Sequence, residues 1–166
     1  MEQNPKKMFV SYSDIVNHCK KLAETIKGDS IKYDCIISIG RGGMVPSRLI
    51  SELLDIRDVQ IFNIKAYTED KKLGKVSTGS FDYKKLEGKN VLIVDDVYTT
   101  GTTIDTVTKL IFDNVEIICL TTVTVFENIQ QLNNNRQPDI YSTVYNADSD
   151  WIVFPWEDEA LCLPFQ

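Results

Sequence analysis

The chain of 166 residues has 43% hydrophobic and 25% charged residues, a balance typical of one globular domain that buries a sizeable core. Its formal net charge of −6, with no basic block or stripe, excludes nucleic acid as the main partner. An anionic small molecule stays possible, because Mg²⁺ and a local group of positive charges can hold it.

The start of the chain and the cysteines indicate where the protein works. Residues 1–7 are polar and no run of about 18 apolar residues occurs, so we expect neither export nor a membrane span. The cysteines follow no metal-binding spacing, and two of them lie in apolar runs where a free thiol packs as a small hydrophobe. The four cysteines are Cys19, Cys35, Cys119 and Cys162, and the two in apolar runs are Cys35 and Cys119. We therefore expect a reducing, cytoplasmic compartment.

The first predicted elements are a helix, a strand and a glycine-rich loop. Apolar residues at helical spacing predict a helix over residues 11–28. Residues 35–39 are a short apolar run typical of a buried parallel strand. The loop 40–43 contains three glycines, which let a ligand approach the main chain, and Arg41, whose guanidinium suits phosphate oxygens. A turn with a solvated arginine explains the same residues, but a helical pattern over 45–54 favours the phosphate loop.

A long polar segment follows the next predicted strand. Residues 59–67 have the composition of a strand, whereas residues 68–86 are polar and lack strong periodicity. A segment of this length in a compact domain indicates a mobile functional loop. A solvated hairpin explains the residues equally well.

The most informative stretch joins an apolar strand, two acids and a hydroxyl-rich loop. Residues 91–94 predict a buried strand with Asp95 and Asp96 at its C-terminal end. Carboxylates accept hydrogen bonds from sugar hydroxyls and bind Mg²⁺. The loop and helix start after them offer N–H groups, hydroxyls and a positive dipole end to an anion, from Thr99, Thr100, Gly101, Thr102 and Thr103. These groups together suit a sugar phosphate, while an acidic strand end with a threonine helix cap is the simpler alternative.

The remaining elements complete an alternation of strands and helices. Residues 115–126 are the longest β-branched run, residues 127–139 are a polar loop, and residues 140–145 read as a further strand. Alternating strands and helices predict a parallel α/β sheet with right-handed crossovers. Ligands of such sheets bind at the carboxyl ends of the strands, where Arg41 and the acidic pair fall.

Three short stretches carry a resemblance to a known family. Residues 91–103 resemble the phosphoribosyl-pyrophosphate (PRPP) motif of type I phosphoribosyltransferases. Residues 41–43 resemble the pyrophosphate loop of the xanthine/guanine-type members, and residues 151–157 resemble their C-terminal segment. The resemblance implies a mainly parallel sheet flanked by helices in a single domain, 1–166. It also implies a small hood over the base site, formed largely by residues 127–166.

The resemblance further implies a role for each part of the site. The 5′-phosphate would lie on the loop 99–103, and the ribose hydroxyls and Mg²⁺ by Asp95 and Asp96. The pyrophosphate would lie on Arg41, Gly42 and Gly43. A nucleobase stacked on Trp151, with its edge read beside Ile152, would attack C1′ while Mg²⁺ and Arg41 stabilise the departing charge. The implied catalytic residues are Arg41, Tyr67, Asp95 and Asp96.

Three positions depart from the pattern of the 6-oxopurine-specific members. Thr99 stands where many of them carry an acid that exchanges a proton with purine N7. Asn128 stands nearest to the usual lysine and would donate an uncharged hydrogen bond to the 6-oxo group. At the start of the lid, which corresponds to residues 68–86, Tyr67 is kept but Ala66 replaces a serine.

The resemblance implies transfer of a phosphoribosyl group from PRPP to a 6-oxopurine, in purine salvage, by a homodimer or homotetramer. Two alternatives remain. One is transfer to a non-purine base, and the other is a regulatory protein that binds PRPP without catalysis. Thr99 and Ala66 favour the regulatory protein slightly, whereas the stacking segment at Trp151 and the lid favour the enzyme.

Overall fold

The computed structural model describes residues 6–65, 77–78, 80–130 and 137–157. Strands and helices alternate along most of the chain, as the sequence pattern predicts. In chain order the elements are β1 (Lys6–Phe9), α1 (Tyr12–Gly28), β2 (Cys35–Ile39), α2 (Met44–Leu54), β3 (Val59–Phe62), β4 (Ile64–Lys65), β5 (Ser77–Thr78), a 3₁₀ helix (Tyr83–Leu86), β6 (Asn90–Tyr98), α3 (Thr102–Asn114), β7 (Cys119–Asn128), β8 (Ile140–Tyr145) and β9 (Asp150–Val153).

Five parallel strands form the central sheet in the order β3-β2-β6-β7-β8. One face packs against α1 and α2 and the other against α3, so both faces are covered. The strands therefore consist of nearly continuous buried apolar residues, such as the fully buried β2. The predicted α/β fold with a parallel sheet flanked by helices is confirmed.

Helix α1 shows how local sequence determines an element boundary. The Ser11 hydroxyl accepts a hydrogen bond from the Asp14 N–H, and the Asp14 carboxylate accepts one from the Ser11 N–H, which forms a capping box. Its apolar stripe, Ile15, Cys19, Leu22, Ala23 and Ile26, is buried against the sheet. The helix ends at Gly28, as predicted.

Strand boundaries differ from the prediction where tertiary pairing overrides local composition. Strand β6 does not end before the acids but continues to Tyr98, because its pairing with β7 extends to Tyr98 and Glu127. Its pairing with β2 ends at Val94. Strand β7 begins at Cys119 rather than 115, because residues 116 and 118 hydrogen-bond to the Gly88–Lys89 turn instead of a strand.

Two small sheets lie beside the central one. Strand β1 pairs in parallel with β9, from Lys6 and Asp150 to Phe9 and Val153. Strand β8, assigned to the hood by the sequence, is instead an edge strand of the central sheet. Within the described residues, the part beyond the central sheet is thus smaller than 127–166 and includes the N-terminal strand, which the sequence pattern did not predict.

The segment predicted as a lid is described only in part. Strands β4 and β5 pair as antiparallel arms, and residues 66–76 and 79 lie outside the described residues. The end of the segment packs on the core: Leu86 is fully buried, and Phe81 and Tyr83 contact the buried Phe62. The predicted strand 59–67 is divided, because β3 ends at Phe62 and β4 joins the smaller sheet.

The described helices include none long and apolar enough to cross a membrane. The thiol of Cys35 is free and buried, as its apolar run predicts, whereas that of Cys119, in the other apolar run, is free but only partly buried. The thiol of Cys19 on α1 is also free and buried. Burial raises the pKa of Cys19 to about 12 and that of Cys35 to about 11, so both behave as small hydrophobes.

Candidate functional site

Two buried carboxylates lie near the carboxyl end of the central strand β6. Asp95 and Asp96 are each 8% exposed, and the Asp96 N–H donates to Asp95 Oδ1 at 3.0 Å. Burial, and then the neighbouring Asp96 charge, raises the pKa of Asp95 well above its ordinary value. Burial also raises the pKa of Asp96 to about 6. A cation bound beside two such buried carboxylates would stabilise their ionised forms.

The glycine-rich loop after β2 lies directly against this acidic pair. A Cβ on Gly42 would lie 2.4 Å from Asp96 Oδ2, and one on Gly43 would lie 2.4 Å from the Val94 carbonyl oxygen. The loop can approach β6 this closely only because both residues lack a side chain. Gly40 has φ +46°, which starts the turn into α2. The exposed Arg41 projects at the edge of two clefts that also contain Asp96.

The hydroxyl-rich loop after β6 ends at the N-terminus of α3. Gly101 is the N-cap residue with φ +79°, and no side chain caps the helix. The Thr100 and Thr102 hydroxyls are 3.1 Å apart. Residues 95–104 line a cavity of about 220 Å³, which brings hydroxyls, the helix start and the two acids together. This arrangement offers donors to an anion beside acceptors for a polyol or a cation.

Two further clefts meet at the acidic pair. One, of about 250 Å³, lies between the glycine loop and α3 and is lined by Asp95, Asp96, Arg41 and Thr103, among others. The other, of about 760 Å³, is lined by Arg41, Gly42, Met44, Val45, Asp96, Trp151, Trp156 and Glu157. The structure therefore brings residues of the three stretches 41–43, 91–103 and 151–157 together near the carboxyl ends of β2 and β6.

The larger cleft has an aromatic wall. Trp151 is 57% exposed, an unusual state for so large an apolar ring. The next residue, Ile152, is buried and pairs with Met8 of β1, which fixes the main chain beside that ring. Trp156 stacks on the buried Phe154 at a centroid distance of 4.8 Å. Trp151 is thus free to stack on a flat ligand, while Trp156 is held by its neighbour.

Sequence reasoning missed Glu157 as a residue of the site. Its Oε2 accepts the Phe154 N–H at 3.0 Å, and its charge contributes to the raised pKa of Asp96. Glu157 is the last residue of the C-terminal segment 151–157, but that segment alone does not show that Glu157 lines the same cleft as Asp96.

Thr99 and Asn128, the two departures in the described residues, contact each other. The Asn128 Nδ2 donates to the Thr99 carbonyl oxygen at 3.0 Å, and Asn128 Oδ1 accepts the N–H groups of Gln130 and Ala147. The Thr99 hydroxyl lies 2.9 Å from the Tyr145 hydroxyl. Asn128 is 3% exposed, so its amide supports the loop, and a contact with a base stays a prediction.

Glu127 is a buried acid that the sequence reasoning did not use. It is fully buried at the end of β7, and neither carboxylate oxygen has a hydrogen-bond partner in the described part of the chain. Burial raises its pKa to about 7. Only its position in a predicted polar loop hid it, since β7 runs two residues further than its apolar run.

The remaining site predictions concern Tyr67 and the metal. Tyr67 and Ala66 lie outside the described residues. In the described ranges no group of three or more His, Cys, Asp or Glu side chains is arranged to hold a metal. Asp95 and Asp96 nevertheless fit Mg²⁺, because this ion commonly uses one or two carboxylates and completes its shell with substrate oxygens and water.

Comparisons with known proteins agree with this geometry. The sequence profile of the family described as phosphoribosyl transferase domain matches residues 10–160. A xanthine-guanine phosphoribosyltransferase of Cereibacter sphaeroides is 28% identical, over 92% of this chain and 87% of the relative. A hypoxanthine-guanine phosphoribosyltransferase of Schizosaccharomyces pombe is 26% identical, over 93% of this chain and 90% of the relative. The solved purine phosphoribosyltransferase of Pyrococcus horikoshii is 26% identical and superposes with a TM-score of 0.73, over 97% of both chains.

Proposed function

Because the chain belongs to the phosphoribosyl transferase domain family, we propose that it transfers the phosphoribosyl group of PRPP to a 6-oxopurine in purine salvage. The products are the nucleoside 5′-monophosphate and pyrophosphate. The observation that supports this best is the convergence of Asp95, Asp96, Arg41 and the exposed Trp151 on clefts that share Asp96. The relatives named above act on xanthine, hypoxanthine or guanine by their names.

PRPP occupies the two smaller cavities and their border with the larger cleft. Its 5′-phosphate accepts hydrogen bonds from residues 99–103 and the start of α3, whose N-cap residue, Gly101, has no side chain to cap the helix. The ribose hydroxyls donate to Asp95 and Asp96, and the pyrophosphate lies on Arg41, Gly42 and Gly43. The close approach of this loop to Asp96 supports a pyrophosphate site that lies beside the ribose site.

The reaction forms a bond between the base nitrogen and C1′ while the bond between C1′ and the pyrophosphate oxygen breaks. The Arg41 guanidinium stabilises the charge that develops on the departing pyrophosphate. Asp95 and Asp96 would hold Mg²⁺, which would supply positive charge to offset that of the pyrophosphate. Burial raises the pKa of both carboxyls, because it disfavours their charged forms, and a bound cation would stabilise those charged forms.

The base lies in the larger cleft, stacked on Trp151, with the main chain at Ile152 reading its edge. Stacking on one exposed aromatic ring accepts any flat heterocycle, so hydrogen bonds to the base edge determine specificity. Thr99 ends in a hydroxyl, which is not a base at neutral pH. Thr99 therefore does not accept the proton that leaves the purine, as a carboxylate at this position could.

The test is a panel of nucleobases with PRPP and Mg²⁺, measured by pyrophosphate release and by identification of the nucleotide formed. Turnover with xanthine, guanine or hypoxanthine supports the proposal. Turnover of only a non-purine base would overturn the purine assignment while keeping the phosphoribosyl transfer. PRPP binding in calorimetry without turnover of any base would instead favour the regulatory alternative, for which Thr99 is the motivating residue.

Three further expectations accompany this function. Free, buried thiols at Cys19 and Cys35 suit a reducing cytoplasm. The family resemblance suggests a homodimer or homotetramer, which light scattering measures directly. The lid over residues 68–86 and Tyr67 at its start are proposed to close over the bound substrates and exclude water.

A further inference from the structure

The loop that would receive the 5′-phosphate is fastened at its first residue by two neighbouring strands. Asn128, at the end of β7, donates to the Thr99 carbonyl oxygen at 3.0 Å. Tyr145, at the end of β8, places its hydroxyl 2.9 Å from Thr99 Oγ1. Asn128 and Tyr145 are partners in the last pair of the β7–β8 ladder, so the two contacts come from one rigid place.

Both supporting side chains are themselves fixed. Asn128 is 3% exposed, and its Oδ1 accepts the N–H groups of Gln130 and Ala147. Tyr145 is 9% exposed, and its ring meets Phe126 edge-on at 6.5 Å. Buried and hydrogen-bonded side chains in single orientations can hold a partner precisely, whereas exposed ones lose more rotamer freedom on doing so.

The same aromatic contacts lead away from the loop towards the base cleft. Phe126 also contacts Phe154 at 5.8 Å, and Phe154 stacks on Trp156, which lines the larger cleft. The wall of the base cleft and the first residue of the phosphate loop therefore rest on one continuous set of buried rings.

We propose that Asn128 and Tyr145 are positioning residues that hold the Thr99 end of the loop in the shape that binds the 5′-phosphate of PRPP. This inference rests on the proposed function. It reassigns Asn128 from reading the base edge to supporting the loop.

The experiment compares the wild type with Tyr145→Phe, which removes one hydroxyl and keeps the ring against Phe126. Because a net neutral hydrogen bond contributes modestly, we expect KM for PRPP to rise about two- to tenfold, with KM for the base nearly unchanged. Tyr141→Phe is the matched control, since it removes a hydroxyl from the same strand outside the site; it should leave both KM values unchanged.

A second variant tests the other contact without removing the local support. Asn128→Asp keeps an acceptor for the N–H groups of Gln130 and Ala147 but loses the amide donor to Thr99. It should raise KM for PRPP at least as much as Tyr145→Phe does. Thr99→Ala should raise KM for PRPP at least as much as Tyr145→Phe does. The double variant Thr99→Ala/Tyr145→Phe should be no worse than Thr99→Ala, because Thr99→Ala already removes the partner of the Tyr145 hydroxyl.

Hydrogen exchange of residues 99–103 in the free protein gives a readout that needs no turnover. If Asn128 and Tyr145 hold the loop, its exchange should be several-fold faster in Tyr145→Phe and in Asn128→Asp than in the wild type or Tyr141→Phe. Unchanged exchange in both variants overturns the inference, as does an unchanged KM for PRPP in an active enzyme. If the two variants exchange faster but the wild type turns over no base, the proposed function is rejected and the positioning role of Asn128 and Tyr145 stands.

Discussion

The loops after β2 and β6 have the same position in neighbouring strands, yet each is shaped by a different neighbour. In the loop after β2, Gly42 is required because the Asp96 side chain, itself part of the site, occupies the place of a Cβ. In the loop after β6, Gly101 is required because its φ is +79° and the buried Tyr98 ring lies where a Cβ would be. One glycine is demanded by the chemistry of the site and the other by the core. The comparison teaches that the first should control activity and the second stability.

The largest effect on activity is expected from Gly42→Ala. A Cβ 2.4 Å from Asp96 Oδ2 forces the carboxylate or the loop to move. Since misplacement by about 1 Å can reduce a rate by about a hundredfold, we expect kcat/KM for PRPP to fall by at least about that factor. Steady-state kinetics measures the fall. Gly28→Ala, at the end of α1 with nothing within 4 Å of its Cβ, should retain activity. An active Gly42→Ala would contradict the assignment.

Trp151→Ala leaves both loops intact and so separates the base site from them. Base–aromatic stacking contributes about 1–3 kcal/mol per base, so KM for the base should rise roughly 5- to 150-fold while KM for PRPP stays nearly constant. Phe112→Ala on α3 is the control, because Phe112 is 59% exposed, close to the 57% of Trp151. Equal rises in both KM values would show that Trp151 supports the fold rather than the base.

The acidic pair tests the site that Gly42 contacts. Asp95→Ala/Asp96→Ala should weaken PRPP binding at least tenfold, about 1.4 kcal/mol, because the Mg²⁺ that offsets the ligand charge loses its protein ligands. Calorimetry with and without EDTA measures both effects, and chelation should weaken wild-type binding as strongly. Asp29→Ala, an exposed acid beyond α1, is the control. Unchanged affinity in the double variant would remove the acids from the site.

Gly101→Ala tests the loop whose glycine is required by the core. Its φ and the Tyr98 ring should together lower the free energy of unfolding by about 1–3 kcal/mol. Gly88→Ala separates the two causes, since Gly88 has φ +66° but nothing within 4 Å of a Cβ. Urea unfolding should therefore give a larger loss for Gly101→Ala than for Gly88→Ala. Equal losses would mean that Tyr98 moves aside freely.

The last prediction concerns the pH dependence of stability at Glu127. Burial raises its folded-state pKa to about 7, above its ordinary value near 4.3, so the folded protein binds the proton more tightly than the unfolded chain. The stability that protonated Glu127 contributes is therefore lost as the pH rises through the range between its unfolded and folded pKa values. Asp95 and Asp96, whose pKa values are also raised, act in the same direction. Glu127→Gln should lose less stability than the wild type in urea unfolding between about pH 5 and pH 8. The exposed Glu116→Gln should follow the wild type.

Local sequence was enough to predict the elements that carry the site. Each phosphate loop lies between a strand and a helix that are adjacent in sequence, so the run of apolar residues, the glycines and the acids determine it together. The helix limits at Ser11 and Gly28 follow in the same way from a capping box and a stop.

Contacts between distant parts of the chain were not predictable in this way. Asn128 was assigned to the base edge because its sequence neighbours suggested a lysine-like position. In the structure the Asn128 amide donates to the Thr99 carbonyl oxygen, which the β6–β7 pairing brings close to it. Glu127 was read as loop for the same reason, since the apolar run ends before the strand does. Strand β1 is short and mostly exposed, and only its pairing with β9 defines it.

That pairing of β1 with β9 has a consequence for the order in which the molecule is made. The first described strand waits for almost the whole chain to leave the ribosome before its partner exists. The loops 40–43 and 99–103, proposed to bind the phosphates, follow β2 and β6, which are synthesised earlier and pair with each other. The aromatic platform at Trp151 is thus the last part of the site to form during synthesis. A nascent chain arrested after β8, which supplies Tyr145 beside Thr99, should hold the two loops without Trp151.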